Sequence, residues 1–245
     1  MSNCVVFVCN KRYFNKFVTT CSQLVSKGNY NGDICLIVDE DFKDDNLLKS
    51  PIIVDNNIMI KTFDKIQIPK EKYKYAAHKN KVDGCILKFN LFHTFFKQWD
   101  YIFYLDCGMK IFSDINPILN ESCKDTILAH SDAYPTYKRK LHGQFAKNNE
   151  YFTKLETRFD LNVDYFQSTI MLYDTNIITE STLSEIIGLL QEYPIGILND
   201  QCYLSLYFIN VRKVWRQIAV KNDSTYFYDY LRRNNKHTYI MLKMG

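Results

Sequence analysis

Trp99-Asp100-Tyr101-Ile102-Phe103-Tyr104-Leu105-Asp106-Cys107-Gly108-Met109-Lys110-Ile111-Phe112-Ser113-Asp114-Ile115-Asn116-Pro117 is the stretch on which the fold turns. Tyr101 to Leu105 is an unbroken apolar run of aromatic and branched residues, the pattern of a strand buried on both faces. It stops abruptly at Asp106, followed by Cys107 and Gly108. Open α/β sheets keep their ligands at the C-terminal ends of such strands. A glycine two residues on lets the backbone turn sharply or approach a ligand. Asp is also a common turn former. From these residues alone, Asp106 reads equally as a ligand-binding carboxylate and as the start of a turn.

Upstream, Cys4–Cys9 reads as a strand, and Phe14, Phe17, Val18, Cys21, Leu24 and Val25 recur at helical spacing. Gly28 and Asn31-Gly32 close that helix, and Ile34–Val38 forms a second strand ending in Asp39-Glu40-Asp41. Strand, helix, strand at this spacing predicts a βαβ unit with parallel strands. Its ligand edge carries Asn10 and Asp39. Lys70–Lys81 is basic and studded with tyrosines, and reads as a solvated helix face or as a phosphate contact. Phe89, Phe92, Phe95, Phe96 and Trp99 predict one apolar helical stripe leading into the central strand.

Downstream, Thr126–His130 and Gln167–Tyr173 read as strands, separated by a polar, basic loop or lid over Asp132–Asn149. Leu183, Ile186, Ile187 and Leu190 mark an amphipathic helix, and Asn199-Asp200-Gln201 caps a further one over Cys202–Phe208. An aromatic, basic tail from Asp223 to Gly245 contains His237. With no internal repeat, low-complexity segment or linker in view, residues 1–245 read as a single domain.

A chain of 245 residues can bury a sizeable core, and 47% hydrophobic with 24% charged residues argues against disorder. A formal charge of +4 suits a protein that holds phosphates. The basic residues form no continuous aromatic-interleaved stripe, so a nucleic-acid partner is not expected. Met1-Ser2-Asn3 leads straight into a strand, and no apolar stretch approaches the ~20 residues of a membrane span. A cytoplasmic protein without a membrane segment is the expectation. The 8 cysteines are scattered without a Cys-x-x-Cys pair, as small buried hydrophobes in a reducing compartment would be.

Taken in order, several stretches match one pattern: Val8-Cys9-Asn10 with Tyr13, Lys88, Trp99-Asp100 with Tyr104-Leu105-Asp106-Cys107-Gly108, and Asp114-Ile115-Asn116-Pro117. Phe166-Gln167-Ser168-Thr169, Asp200-Gln201 and His237 continue it. Together they resemble the nucleotide-sugar glycosyltransferases of GT-A fold, and within them the glycogenin-like family eight. The resemblance covers most of the chain; the central stretch carries most of it and His237 least. It implies an α/β, Rossmann-like fold with a mostly parallel sheet flanked by helices. It also implies transfer of a sugar from a nucleoside-diphosphate donor, a UDP-sugar first, to a hydroxyl of a glycan or protein, with retained configuration.

By the same resemblance, Asn10 and Tyr13 hold the base, Asp39 the uracil or ribose, and Asp106 a metal or the ribose. Lys88 stands near the phosphates or sugar, Asp200 with Gln201 on the donor sugar, and Gln167 near the anomeric carbon. Mn²⁺ or Mg²⁺ would be held by Asp106 and His237. An amide does not titrate usefully, so Gln167 is no general base; an inverting enzyme would need a carboxylate, for which Asp200 is best placed.

One departure stands out. Gly108 occupies the position of the family's second metal-binding carboxylate. A divalent ion bridging a diphosphate takes oxygen ligands, usually one or two carboxylates among them. Either Asp106, His237 and the diphosphate still hold the ion, or cations such as Lys88 and Lys138-Arg139-Lys140 neutralise the phosphates instead. The same departure admits a catalytically inactive nucleotide-sugar binder. A nucleotidyltransferase is the other enzyme reading, but Cys9-Asn10-Lys11-Arg12-Tyr13 supplies cations without the glycines such a loop needs. His78 and His93 read as ordinary helix-face residues, Asp114 as a structural turn, and His130 with Asp132 as part of an acceptor cleft.

Overall fold

The computed structural model describes residues 2–134, 136–222, 225–229 and 238–243. Strand β1 (Asn3–Cys9) runs into helix α1 (Phe14–Ser26), whose Phe14, Phe17, Cys21 and Leu24 are buried, and the chain returns as β2 (Asp33–Val38) parallel to β1. The predicted βαβ unit is therefore present. To it are added β3 (Met59–Lys61), β4 (Tyr101–Leu105), β6 (Ile127–Ser131), β7 (Phe166–Asp174) and β8 (Trp215–Gln217), in the spatial order β3-β2-β1-β4-β7-β6-β8. Strands β3, β2, β1 and β4 are parallel. β7 runs antiparallel to both β4 and β6, and β6 is parallel to β8, so the sheet is mostly parallel with one reversed strand.

Helices α2 (Pro51–Asp55), α3 (Lys70–Tyr75), α4 (Val82–Ile86), α5 (Asn116–Leu119), α6 (Glu150–Arg158), α7 (Thr182–Glu192) and α8 (Asn199–Ser205) join α1 around the sheets. β4 explains its own sequence. Ile102 and Tyr104 enter one core with Phe89, Phe92 and Phe96, while Phe103 and Leu105 enter the other with Phe7 and Phe17. From Ile102 to Leu105 the strand is buried on both faces, with only its first residue, Tyr101, half-buried, and no polar residue interrupts it.

A second sheet orders β5 (Met109–Ile111), β11 (Thr238–Lys243), β10 (Thr225–Asp229) and β9 (Lys221–Asn222) as β5-β11-β10-β9. The aromatic tail thus returns to the strand that follows Gly108. Phe227, Tyr228, Ile240 and Met241 join the core beside Ile111.

The single helix predicted through Phe89 to Trp99 is not formed. Instead two 3₁₀ turns, Leu87–Phe92 and Thr94–Gln98, meet at His93, whose backbone is extended at ψ 144°. The His93 Nδ1 accepts the Phe95 N–H at 3.0 Å, capping the second turn. Aromatics three residues apart satisfy a 3₁₀ turn as well as a helix, which is why the stripe misreads. Its packing is as predicted: Phe89, Phe92 and Phe96 are fully buried.

All eight cysteines are free thiols, and burial pushes those of Cys21, Cys35, Cys123 and Cys202 up to about 12. Among the described residues no helix is long and apolar enough to cross a membrane.

Truncating Phe103, which has 0% exposure, to alanine is expected to lower the unfolding free energy by about 3–5 kcal/mol in urea denaturation. A loss below ~1 kcal/mol would contradict burial of β4 on that face.

Candidate active site

The end of β4 is aimed by its neighbour. The Asp106 N–H donates to the Thr169 carbonyl at 2.9 Å, so the β4–β7 ladder continues one residue past Leu105 and fixes the carboxylate there. Lys88, in the first 3₁₀ turn, is buried, and its Nζ lies 3.1 Å from Asp106 Oδ1 and 2.9 Å from Asp200 Oδ2. The same ammonium donates to the Ser168 carbonyl at 3.1 Å and to Ser168 Oγ at 3.3 Å, and stands 5.0 Å from the Tyr104 ring centroid. The Ser168 hydroxyl in turn donates to Asp200 Oδ2 at 2.5 Å, and the Tyr104 hydroxyl donates to Asp106 Oδ1.

Burial works against a charge on Lys88, but Asp106 and Asp200 outweigh it and hold its pKa above the ordinary lysine value. Burial and the Asp106 charge likewise push the Tyr104 hydroxyl well above its usual range. Neither group sheds its proton near neutrality. Lys88 is therefore a fixed cation rather than a base.

Asp200 lies in the first turn of α8, where its Oδ2 bonds Lys88 and Ser168 in place of the helix-capping role the sequence suggested. The turn before α8 is held by a residue the sequence placed on a solvated face. Lys72 of α3 is fully buried and donates to the Gly196 carbonyl at 2.7 Å and to Asn199 Oδ1 at 3.0 Å. Burial lowers its pKa, against the opposing charges of Cys202 and Asp200. A Cβ on Gly196 would come within 2.2 Å of Cys202 Sγ, so only glycine allows that turn to pack on α8. No sequence signal marks Lys72 out among the lysines around it.

At the other end of the site, Asn10 and Tyr13 follow β1. They line a cleft of about 380 Å³ with Lys88, Asp106, Asp200 and Gln201, so six of the predicted residues share one cavity. Asn10 Oδ1 is buried without a hydrogen-bond partner among the described residues, an acceptor that a ligand N–H would satisfy. Its Nδ2 lies 3.0 Å from where a Cβ on Gly84 would stand, so that glycine makes room for the amide. Gln201 accepts from the Ser168 N–H at 3.3 Å and donates to Gln144 Oε1 at 3.1 Å. His78 and Lys81 also line the cleft, which the reading of His78 as an ordinary helix-face residue did not anticipate.

Two predicted residues stand apart. Asp39, just past β2, is not among the residues lining the cleft; burial and the neighbouring Asp41 push its carboxyl up. Gln167 belongs to a second polar cluster. Its Nε2 donates to Asp132 Oδ1 at 2.6 Å, and its Oε1 accepts from the Tyr228 hydroxyl at 3.4 Å. Asp132 also receives the Tyr165 hydroxyl and, at 2.9 Å, Arg139 Nη1. Adjacent residues of a strand face opposite sides, which parts Gln167 from Ser168, and the β6–β7 register shifts nearby. Between the pairs Ala129↔Met171 and Ser131↔Phe166, β6 advances two residues and β7 five.

A divalent ion would find few ligands in this arrangement. Asp106 is in place and Gly108 brings no oxygen side chain, while His237 lies outside the described residues. Among the described residues no three His, Cys, Asp or Glu side chains converge. An ion bridging a diphosphate takes hard oxygen ligands, usually one or two carboxylates among them; Asp106 is one such carboxylate, and Gly108 adds none. Two of the cations expected to substitute for the ion are engaged elsewhere, Arg139 on Asp132 and Lys140 on Asp164 at 3.0 Å.

Comparison with solved structures identifies the fold as that of GT-A glycosyltransferases. The galactosyltransferase LgtC, in complex with donor and acceptor sugar analogues, matches 93% of this chain and 75% of its own at a TM-score of 0.63 and 11% identity. Mouse xyloside xylosyltransferase 1 matches 100% of this chain and 97% of its own, with a TM-score of 0.58 and 10% identity. Core-mannan synthase A from Aspergillus fumigatus, in its Mn/GDP form, matches 89% and 72% at 0.56 and 9% identity. No protein-family model and no curated protein sequence matches the chain.

Replacing Lys88 by methionine leaves two carboxylates facing each other without their cation. This change is expected to cost about 3–5 kcal/mol of stability, the range for breaking a buried ion pair. Adding Asp106→Asn is expected to recover part of it in a double-mutant cycle. Strictly additive effects would show that the three groups do not act as one unit.

Proposed function

We propose that this protein is a nucleotide-sugar-dependent glycosyltransferase, moving a sugar from a nucleoside-diphosphate donor to a hydroxyl of a glycan or protein. The observation that carries the reading is the Lys88 ammonium held between Asp106 and Asp200 at the sugar end of a cleft. The other end of that cleft offers the orphan acceptor of Asn10 and the ring of Tyr13. A base N–H satisfies the first and a base face stacks on the second. The cleft opens at the ends of β1 and β4, and ligands of open α/β sheets bind at such strand ends, which supports the reading.

In the reaction, the bond between the anomeric carbon and the β-phosphate oxygen breaks and a bond to the acceptor oxygen forms. The acceptor proton leaves with the nucleoside diphosphate. Preorganised charge lowers the barrier to such a step without reorganisation at the moment of reaction. Asp200 accepts donor-sugar hydroxyls; both of its protein contacts fall on Oδ2, so Oδ1 is the oxygen for that purpose. A carboxylate committed to an ammonium and a hydroxyl is a poor general base, which favours retention over inversion. Gln167, with both amide atoms bonded to Asp132 and Tyr228, is given no part in this reaction. UDP is the first nucleotide to test and GDP the second.

A second reading, a binder without turnover, is favoured by Gly108 alone. The two separate in a thermal-shift screen of UDP- and GDP-sugars followed by a transfer assay with glycan acceptors. A donor near a hundredfold above its Kd is expected to raise Tm by roughly 5–10 °C. Asp106→Asn and Asp200→Asn are each expected to lower turnover by about 10²-fold or more. Binding without measurable transfer would favour the inactive binder, and no shift with any donor would overturn the reading.

A further inference from the structure

The departure at Gly108 is built into the backbone and its surroundings. Gly108 has φ +93°, a conformation that side-chain-bearing residues rarely adopt. One face of α1 holds the turn in place. Gln23 Oε1 accepts the Ile111 N–H at 3.0 Å. The buried Thr20 hydroxyl accepts the Gly108 N–H at 3.0 Å and donates to the Met109 carbonyl at 2.9 Å. Lys16 lies one helical turn before Thr20, on the same face. A Cβ on Gly108 would meet Lys16 Cδ at 3.3 Å. The space in which a second carboxylate would begin is thus bordered by a lysine stem.

The ammonium of that lysine lies beside a residue of the cleft, without itself lining it. Lys16 Nζ is 5.8 Å from the centroid of the Tyr13 ring, and Tyr13 lines the cavity. Arg12 approaches the same ring at 5.9 Å, and both Arg12 and Lys81 line the cleft. Among the described residues Lys16, Arg12 and Lys81 enter no ion pair. Lys88, by contrast, is already matched to Asp106 and Asp200. Three cations without an ion pair among the described residues thus stand on or beside the cleft: Arg12 and Lys81 in its lining, and Lys16 between Gly108 and Tyr13.

Resting on the nucleotide-sugar reading of the cleft, we propose that this chain binds the donor diphosphate without a divalent ion, through the Lys16 ammonium in the place vacated by the second carboxylate. Arg12 and Lys81 assist it. Cationic side chains and metal ions serve the same end at a leaving diphosphate: they stabilise the charge that grows on its oxygens as the sugar departs. A lysine acts there as a point charge, which a phosphate accepts readily.

Calorimetric titration of UDP and GDP, in EDTA and in millimolar Mn²⁺, tests this on the full chain. The expected Kd of the nucleotide that binds agrees in the two conditions within about threefold, as for a site whose charges are all on the protein. Lys16→Gln is expected to weaken it by about tenfold, the effect of losing one charge-assisted bond, and Lys16→Arg to restore it. The matching nucleoside, which carries no phosphate, should bind both proteins alike. Lys16 is exposed, so these variants fold. Binding that collapses in EDTA, or that ignores Lys16→Gln, overturns the inference and leaves the nucleotide-sugar reading standing. Failure of every nucleotide to bind in either condition overturns both.

Discussion

An ammonium shared by two carboxylates inside a protein is costly unless every partner is held in place, and the site is arranged around meeting that condition at Lys88. Its three charges come from a 3₁₀ turn, the end of β4 and the first turn of α8, which are far apart in the chain. Each is tied down by a neutral neighbour: Tyr104 on Asp106, Ser168 on Asp200 and Lys88 alike, Thr169 on the Asp106 backbone. Desolvation alone would lower the Lys88 pKa; the two carboxylates reverse that. The result is a preformed polar centre at a sheet edge, whose geometry does not wait for a ligand to impose it.

The surrounding fold reads as support for that centre. Burial of β4 on both faces makes its end a rigid point of reference. β7, the one reversed strand, extends β4's ladder to Asp106 and shifts register against β6. Strand alternation turns Ser168 to the Lys88 cluster and Gln167 to the Asp132 cluster. Lys72 and Gly196 fix the approach to α8, and with it Asp200. On the side of Asn10 and Tyr13, α1 carries both the clamp on the Gly108 turn and the lysine beside it.

Much of this was legible in the sequence for a plain reason: the strongest signals come from local burial and spacing. The apolar run to Asp106 identified the central strand, and the βαβ pattern placed Asn10 at the sheet's ligand edge. The order of motifs gathered Asn10, Tyr13, Lys88, Asp106, Asp200 and Gln201, all of which line one cleft. Asp39 did not follow, because a strand-end position does not by itself say whether a side chain reaches the neighbouring strand's cavity. Asp114 accepts the Asn116 N–H, as its turn context suggested; His93, read as a helix-face residue, instead stands between two 3₁₀ turns and caps the second.

What the sequence by itself determined was the central strand, the parallel unit before it and the residue types at the cleft, since periodicity and turn chemistry are properties of neighbours in the chain. Tertiary structure alone decided which charges meet. Lys72 looks like its exposed neighbours until 124 residues of separation bring it to the Gly196 carbonyl. Lys16 is an ordinary helix lysine until Thr20 docks α1 on the Gly108 turn. Gln167 and Ser168 are adjacent in one strand, and only packing supplies their partners, Asp132 for the one and Asp200 for the other. Charge pairing depends on distance and desolvation, and both are fixed only when the chain has packed.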